Sequence, residues 1–331
     1  MEAKAIKITG KGDVDVLSVG THQVREPGPG ELLVRVHGAG LNRADLLQRM
    51  GFYPAPSGAP ADIPGLEYAG RVEAMGPLVR DFAVGDAVMG IVAGGAMASY
   101  VLVHERETLR APRNLSLAEA AALPEVFLTA YDALFAHGQL TLGQVALIHA
   151  AGSGIGTAAI QLAKLAGALV VGTARSQKKL DACRDLKLGL DHGLRVTDKT
   201  FYNLFKDATR GRLADVVLDT VGASYLAENL KTVAPLGKIV TIGLLGGATG
   251  EMPLGLLLQK RATLIGSVLR SRSLEEKAVL TQRFARDILP LFESGKLRPI
   301  VDRVMPASDI QEAHRYMASN ETFGKVIISF E

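Results

Sequence analysis

The run His149-Ala-Ala-Gly-Ser-Gly-Ile-Gly156 carries the clearest chemistry in the chain. It follows an apolar stretch, Val145 to His149, and opens a stretch with helical character, the context in which spaced glycines form a dinucleotide-binding turn. Gly152 permits the tight turn, Gly154 lets the backbone approach a pyrophosphate, and Gly156 lets the helix pack closely on the strand. The exposed N–H groups of the turn, with Ser153 and Ile155 between the glycines, and the positive end of the helix dipole would then face the anion. A glycine-rich surface turn without a ligand is the plainer reading, and the strand–helix alternation around the motif argues against it. At the end of the next strand an NAD-specific site places Asp or Glu to accept from the ribose 2′-OH. The chain reads Gly172-Thr-Ala-Arg-Ser-Gln-Lys-Lys179 there, with no acid. Arg175, Ser176, Lys178 and Lys179 suit a 2′-phosphate, which a carboxylate would repel. Cations are unfavourable at a helix N-terminus, so their presence asks for a reason. Thr173, Arg175, Ser176 and Lys179 are candidate contacts, and the expected cofactor is NADPH.

The elements that must hold these residues come in two textures. Up to about Pro124 the chain is rich in Gly, Pro and short β-like runs such as Glu31 to Val36 and Ala98 to Val103, punctuated by Pro27-Gly-Pro-Gly30 and Val84-Gly-Asp86. That pattern predicts a compact, mostly β domain with irregular loops. The loop from Gly51 to Pro64 is long and patternless, and such loops are often functional. From Gln144 strands alternate with helices: strands at 145–149, 169–174, 215–219, 238–243 and 263–268, helices at 156–166, 177–186, 225–233 and 253–259. Alternation of apolar strands with helices predicts a doubly wound parallel sheet, hence an α/β fold class. One long amphipathic helix is expected over 275–292. The stretch from Ile300 to Phe330 returns to short strands plus a helix over 310–318 and is expected to rejoin the first domain.

Composition narrows the class. The chain has 331 residues, 48% hydrophobic and 21% charged, with a formal net charge of +3. That is a globular balance, long enough for two domains, and it gives no support to nucleic-acid or membrane-surface binding. The single cysteine, Cys183, allows neither an intramolecular disulfide nor a Cys-based zinc lobe, and its place on an apolar helix face reads as core. The beginning, MEAKAIKITGKGD, lacks the apolar stretch of a secretory signal, and apolar runs are too short for a membrane helix, so a cytoplasmic enzyme is expected. His149 and His192 have no carboxylate or serine at a spacing that implies a triad and read as structural.

Beyond the glycine turn, the chain contains Asn42-Arg-Ala-Asp45 with Arg49, Gly51 and Tyr53; Pro64-Gly-Leu-Glu-Tyr-Ala-Gly70; Val84-Gly-Asp86; and Thr129-Ala-Tyr131. On these stretches, over essentially its whole length, the chain resembles the medium-chain dehydrogenase/reductase superfamily, specifically its zinc-independent, zeta-crystallin-like quinone oxidoreductase branch. Ser176-Gln-Lys-Lys-Leu180 and Leu269-Arg-Ser-Arg272 look most like the stress-inducible NADPH quinone oxidoreductase subgroup. The resemblance implies a GroES-like catalytic domain from both chain ends, 1–124 with 293–331, and a Rossmann domain over 125–292, with the active site in the cleft. It places Thr129, Gly243, Leu244, Ser267, Leu269, Gly324 and Lys325 along the cofactor.

Zinc-dependent relatives hold their catalytic metal with Cys, His and Cys. The corresponding places here are Asn42, Leu66 and Glu125, so no metal is expected. Without a Lewis acid the suitable substrate is already electrophilic: a quinone or enone, positioned for direct hydride transfer with a proton from water or a nearby hydroxyl. Asn42 and Tyr53 are the candidates at the substrate end, as hydrogen-bond donors. Packing for shape is an equally good reading of Tyr53, while Asp45 and Glu67 are expected to pair with Arg43, Arg49 or backbone N–H groups. Relatives often place a tyrosine beside the 2′-phosphate where this chain has Val196, which leaves Arg195 to take that contact or the phosphate held less tightly. The resemblance also puts the strand 263–268 at the sheet edge, which predicts a homodimer. Two other readings remain: an NADPH-dependent alkenal or enoyl reductase, and a non-catalytic NADPH-binding protein.

Overall fold

The computed structural model describes residues 1–330. Its chain forms two compact units, 1–128 together with the segment from 269 onward, and 129–268. Set beside the expected boundaries at 124 and 293, the segment 269–292 groups with the first unit. Its long helix is tied there by Arg106 to Glu275 at 2.6 Å and by the shielded pair Lys277 and Glu107 at 3.3 Å. That helix is two pieces, Leu274–Asp287 and Leu289–Glu293, rather than one. The apolar stripe runs through the junction, but Pro290 lacks an N–H and its ring would meet a carbonyl of the preceding turn, so the helix restarts.

In the first unit a seven-stranded sheet runs in the order Val301–Pro306, Lys325–Ser329, Glu31–Leu41, Glu67–Met75, Ala87–Ile91, Thr108–Arg110, with Tyr100–His104 also pairing Glu31–Leu41. The late strand Lys325–Ser329 lies antiparallel to Glu31–Leu41, with Val326 opposite Leu41. Inward residues such as Leu32, Val34, Tyr68, Val88, Val326 and Ile328 form the core with Ile310 and Ala313 of the helix Ile310–Ala318. The return of the 300–330 region to this sheet agrees with the sequence reading. One helix of consequence for the site, Arg43–Met50, follows Asn42 and stops at Gly51, whose φ of +84° is the left-handed conformation a helix end favours.

The second unit carries six parallel strands in the order His192–Arg195, Leu169–Ala174, Val145–Ile148, Ala214–Asp219, Val233–Thr241, Thr263–Gly266. In chain order that is 3-2-1-4-5-6, the doubly wound arrangement in which ligands bind beyond the carboxyl ends of the strands. The central strands show no alternation of buried and exposed residues, because both faces of the sheet are covered. Val145, Leu147, Val171, Val217 and Ile239 are all buried in one cluster with Phe201, Phe205 and Leu230.

Candidate functional site

In the second unit the glycine turn joins the strand Val145–Ile148 to the helix Gly154–Leu165. Ser153 caps that helix, its hydroxyl accepting the Gly156 N–H at 3.0 Å. The turn is tight: Ala150 has φ +52°, and a Cβ on Gly156 would come within 2.3 Å of the Ala150 carbonyl oxygen. A Cβ on Gly152 would meet the Lys179 side chain at 2.9 Å, so the Lys179 stem lies directly over the turn. A cation draped on the glycines and an uncluttered helix start are what a bound dinucleotide phosphate requires, and these residues fit it.

The other candidates of this unit stand at the same edge of the sheet. Thr173 and Arg175 end or follow the strand Leu169–Ala174, and Arg195 ends the neighbouring strand in register with Ala174. Thr173 is buried, its hydroxyl bonded to His149 Nδ1 at 2.9 Å, while His149 Nε2 meets the Asn229 side-chain oxygen at 2.7 Å. Since that oxygen accepts, Nε2 carries the proton and Thr173 donates to Nδ1. Burial lowers the His149 pKa, so the ring is neutral and structural, as its sequence context suggested. Gly243 sits close against Thr220, where a Cβ would lie 3.0 Å from the Thr220 carbonyl oxygen, and Leu244 beyond it is exposed. Ser267 follows the last strand and donates to Asp132 at 2.9 Å. The Thr129 and Thr220 hydroxyls are buried without a partner among the described residues, Thr220 being a polar group at the strand ends that sequence reasoning passed over.

The first unit gathers a different set. Lys325 Nζ lies 2.6 Å from Glu67 Oε1, 2.7 Å from Asn42 Oδ1 and 2.9 Å from the Leu41 carbonyl oxygen. An ammonium has three protons, and these partners take all of them. Asn42 Nδ2 donates to Glu67 Oε1 at 3.0 Å and to the Gly40 carbonyl at 3.1 Å. Both amide protons are therefore engaged inside the protein, and Asn42 has none to offer a substrate in this arrangement. The other Glu67 oxygen, Oε2, accepts the Glu125 backbone N–H at 2.8 Å. Gly40 makes the arrangement possible, since a Cβ there would lie 2.1 Å from Glu67 Oε1. Gly324 is needed for backbone reasons too: its φ is +84° and a Cβ would lie 2.3 Å from the Ile300 carbonyl oxygen. Leu269 is buried.

Asp45 accepts the Asn42 N–H at 2.7 Å and the Gly65 N–H at 2.9 Å. Burial nevertheless pushes its pKa up to about 6. The Glu125 carboxyl makes no hydrogen bond to any described residue. Burial, and then the neighbouring Glu67 carboxylate, push its pKa up to about 8, against the opposing charges of Lys325 and Arg270. Arg270 ties the helix Arg43–Met50, the loop after it and the loop after the strand Ala87–Ile91 together: Nη2 donates to Gln48 Oε1 at 2.6 Å, Nη1 to the Tyr53 carbonyl at 3.1 Å and Nε to the Ala93 carbonyl at 2.7 Å. Its guanidinium also sits 5.0 Å from the centre of the Tyr53 ring. The Tyr53 hydroxyl is held protonated by burial, with Arg270 opposing that shift and Glu125 adding to it. Tyr53 is thus fixed in place beside an acid, and of the two substrate-end candidates it alone keeps a donor.

A catalytic zinc does not fit this set. Leu66, at 3% exposure, offers no donor atom, and the Asn42 oxygen already accepts from Lys325. Among the described residues no group of three or more His, Cys, Asp or Glu is placed to hold a metal ion. Nor is any helix of the described residues long and apolar enough to cross a membrane.

Comparison with known proteins agrees with this geometry. Residues 28–113 match the alcohol dehydrogenase GroES-like domain, and residues 154–285 match the zinc-binding dehydrogenase family. The chain is 33% identical to a quinone oxidoreductase of Pseudomonas aeruginosa, over 98% of this chain and 99% of the relative. It is 30% identical to the human synaptic vesicle membrane protein VAT-1 homolog, over 98% and 86%. The solved structure of the JamJ enoyl reductase superposes with a TM-score of 0.88 at 26% identity, covering 99% of each chain. The chain therefore belongs to the medium-chain dehydrogenase/reductase superfamily, in its zinc-independent quinone oxidoreductase-like branch, and is an oxidoreductase that works with a nicotinamide cofactor.

Proposed function

We propose that this protein reduces quinones and related conjugated carbonyl compounds with NADPH. The donor set around residue 42 carries the reading. Where zinc-dependent relatives place metal ligands, this chain has an amide closed on Glu67 and Lys325, an apolar Leu66 and the raised acid Glu125. Such a site suits a substrate that is electrophilic without a Lewis acid and whose reduced oxyanion is delocalised. NADPH when bound supplies the hydride. Glu125, with a pKa of about 8, holds a proton on its carboxyl at neutral pH, and Tyr53 holds one on its hydroxyl. Either can deliver a proton to the reduced substrate. The preference for NADPH over NADH rests on Arg175, Ser176 and Lys179 at an acid-free strand end.

The test is an NADPH-oxidation screen across simple quinones, alkenals and enoyl thioesters. Quinone turnover is the expected result, with a rate that falls as pH rises past about 8 and a falling limb that Glu125→Gln lacks. Activity confined to enoyl thioesters or alkenals would move the protein to the double-bond reductase reading, for which the likeness to the JamJ enoyl reductase speaks. No turnover with any of them would leave a cofactor-binding protein.

A two-fold pairing through the strand Thr263–Gly266 belongs to the same proposal. That strand closes one side of the six-stranded sheet. Leu264, Val268 and Leu258 near it are exposed, Leu258 at 80%. Sedimentation at micromolar concentration should give about twice the chain mass. The Ser267 N–H donates inward to the Thr241 carbonyl, so the alternate amide of Leu264 faces outward, and Leu264→Pro should shift the mass toward monomer or aggregate by deleting an edge N–H.

A further inference from the structure

Three rings close on one another beside the glycine turn. His149 and Phe201 have centroids 5.0 Å apart, His149 and Tyr225 4.9 Å, and Phe201 and Tyr225 5.0 Å. Each is held independently. His149 is fixed by Thr173 and Asn229, and the Phe201 backbone N–H donates to Glu228 at 2.9 Å. Tyr225 follows a turn in which Asp219 accepts the N–H groups of Val221 and Gly222 at 2.8 and 3.0 Å. Val196 lies in the same apolar cluster, fully inside it. A tyrosine at 196 would have to enter this packed interior, and the tyrosine that the chain does place here comes from another element.

Tyr225 is only 8% exposed, yet its hydroxyl bonds to no described residue. The ring is buried but its hydroxyl reaches the surface, so the O–H is open to a ligand. It stands at the polar edge of an otherwise apolar box. Burial raises its pKa, with the positive charge of Arg175 working against that shift and the carboxylates of Asp219 and Asp198 adding to it. Arg175 follows Thr173 by two residues at the end of the strand Leu169–Ala174, and Thr173 bonds His149, which packs on the Tyr225 ring. Arg175 makes no ion pair among the described residues.

We infer that Tyr225 donates its hydroxyl to the 2′-phosphate of NADPH alongside Arg175, filling the place that Val196 leaves without a polar group. The inference rests on the NADPH reading above. Arg195 then sits at the neighbouring strand end as a long-range charge. A phosphate dianion beside a fixed phenol O–H and an open guanidinium gains one charge-assisted hydrogen bond that NADH cannot make.

Equilibrium binding of 2′,5′-ADP and of 5′-AMP to the full chain, by displacement of NADPH fluorescence, tests it without any turnover. Tyr225→Phe keeps the ring and removes only the hydroxyl. Affinity for 2′,5′-ADP should fall roughly tenfold or more, while 5′-AMP binding and the unfolding midpoint stay as they are. Arg195→Ala should reduce 2′,5′-ADP affinity by less, and more so at low salt. If the unaltered chain binds 2′,5′-ADP no more tightly than 5′-AMP, the NADPH reading fails and takes this inference with it. If the unaltered chain discriminates and Tyr225→Phe discriminates equally well, or loses both ligands alike, only the role of Tyr225 is overturned.

Discussion

In the first unit Lys325, Asn42 and Glu67 satisfy one another, with Lys325 and Glu67 buried, whereas in the second Arg175 and Lys178 stand at a helix start with no carboxylate of the described residues bonded to them. Both clusters lie on stretches that sequence alone marks as functional, yet their physics differs. A buried ion pair that uses every donor has no proton left for a ligand, and its removal is felt as lost stability. Exposed cations at a helix start cost the fold something and give nothing back until an anion arrives. Charges closed on each other shape a site, and charges left open take a ligand.

The comparison is easiest to break at its largest effect. Lys325→Met leaves the Glu67 carboxylate buried without its counter-charge, and should lower the unfolding free energy by about 3–5 kcal/mol in urea titrations. Adding Glu67→Gln should recover part of that loss. A change below about 1 kcal/mol would mean that the pair behaves like a surface one. Next comes the stretch at the acid-free strand end. Lys179→Ala should weaken NADPH roughly tenfold to a hundredfold, the worth of one charge-assisted contact of about 1.5–3 kcal/mol, and leave NADH little changed. Equal losses for both cofactors would refute the assignment.

The smallest effect sharpens the first unit itself. The folded chain holds the Glu125 proton more tightly than the unfolded chain does, with a pKa of about 8. The stability this contributes is therefore complete below the ordinary carboxylate range and is lost as pH rises through about 8. Glu125→Gln cannot ionise, so its thermal unfolding midpoint should decline less than that of the unaltered chain between about pH 5 and pH 8. Parallel curves would show that the carboxyl is better solvated than its surroundings suggest.

What could be read from the sequence was local. The glycine turn, the strand-and-helix alternation and the acid-free end of Leu169–Ala174 are short patterns whose spacing reports their geometry, and each has its place in the second unit. The broken helix at Ile288 was legible in principle from Pro290, but the apolar stripe continues across it and hides the joint. Asp45 was expected to find Arg43, Arg49 or backbone N–H groups, and it takes two backbone N–H groups. Glu67 was expected to choose from the same set, and besides the Glu125 N–H it takes Lys325, which no spacing in the sequence points to. Lys325 and Asn42 are 283 residues apart. Tyr225 escaped notice for a related reason: its importance lies in three rings from different elements meeting.

Lys325 also bears on when the protein can assemble during synthesis. The strand Lys325–Ser329 pairs with Glu31–Leu41, and its first residue neutralises Glu67. The residues 1–128 thus emerge from the ribosome with a central strand lacking its neighbour and a carboxylate lacking its counter-charge. By contrast, residues 129–268 are contiguous and contain every strand of their own sheet. The middle of the chain can therefore fold while the beginning waits for the last strand, exposed meanwhile to proteases and to association with other chains. Pulse proteolysis of ribosome-held chains halted before residue 325 should register this as protection of 129–268 ahead of 1–128.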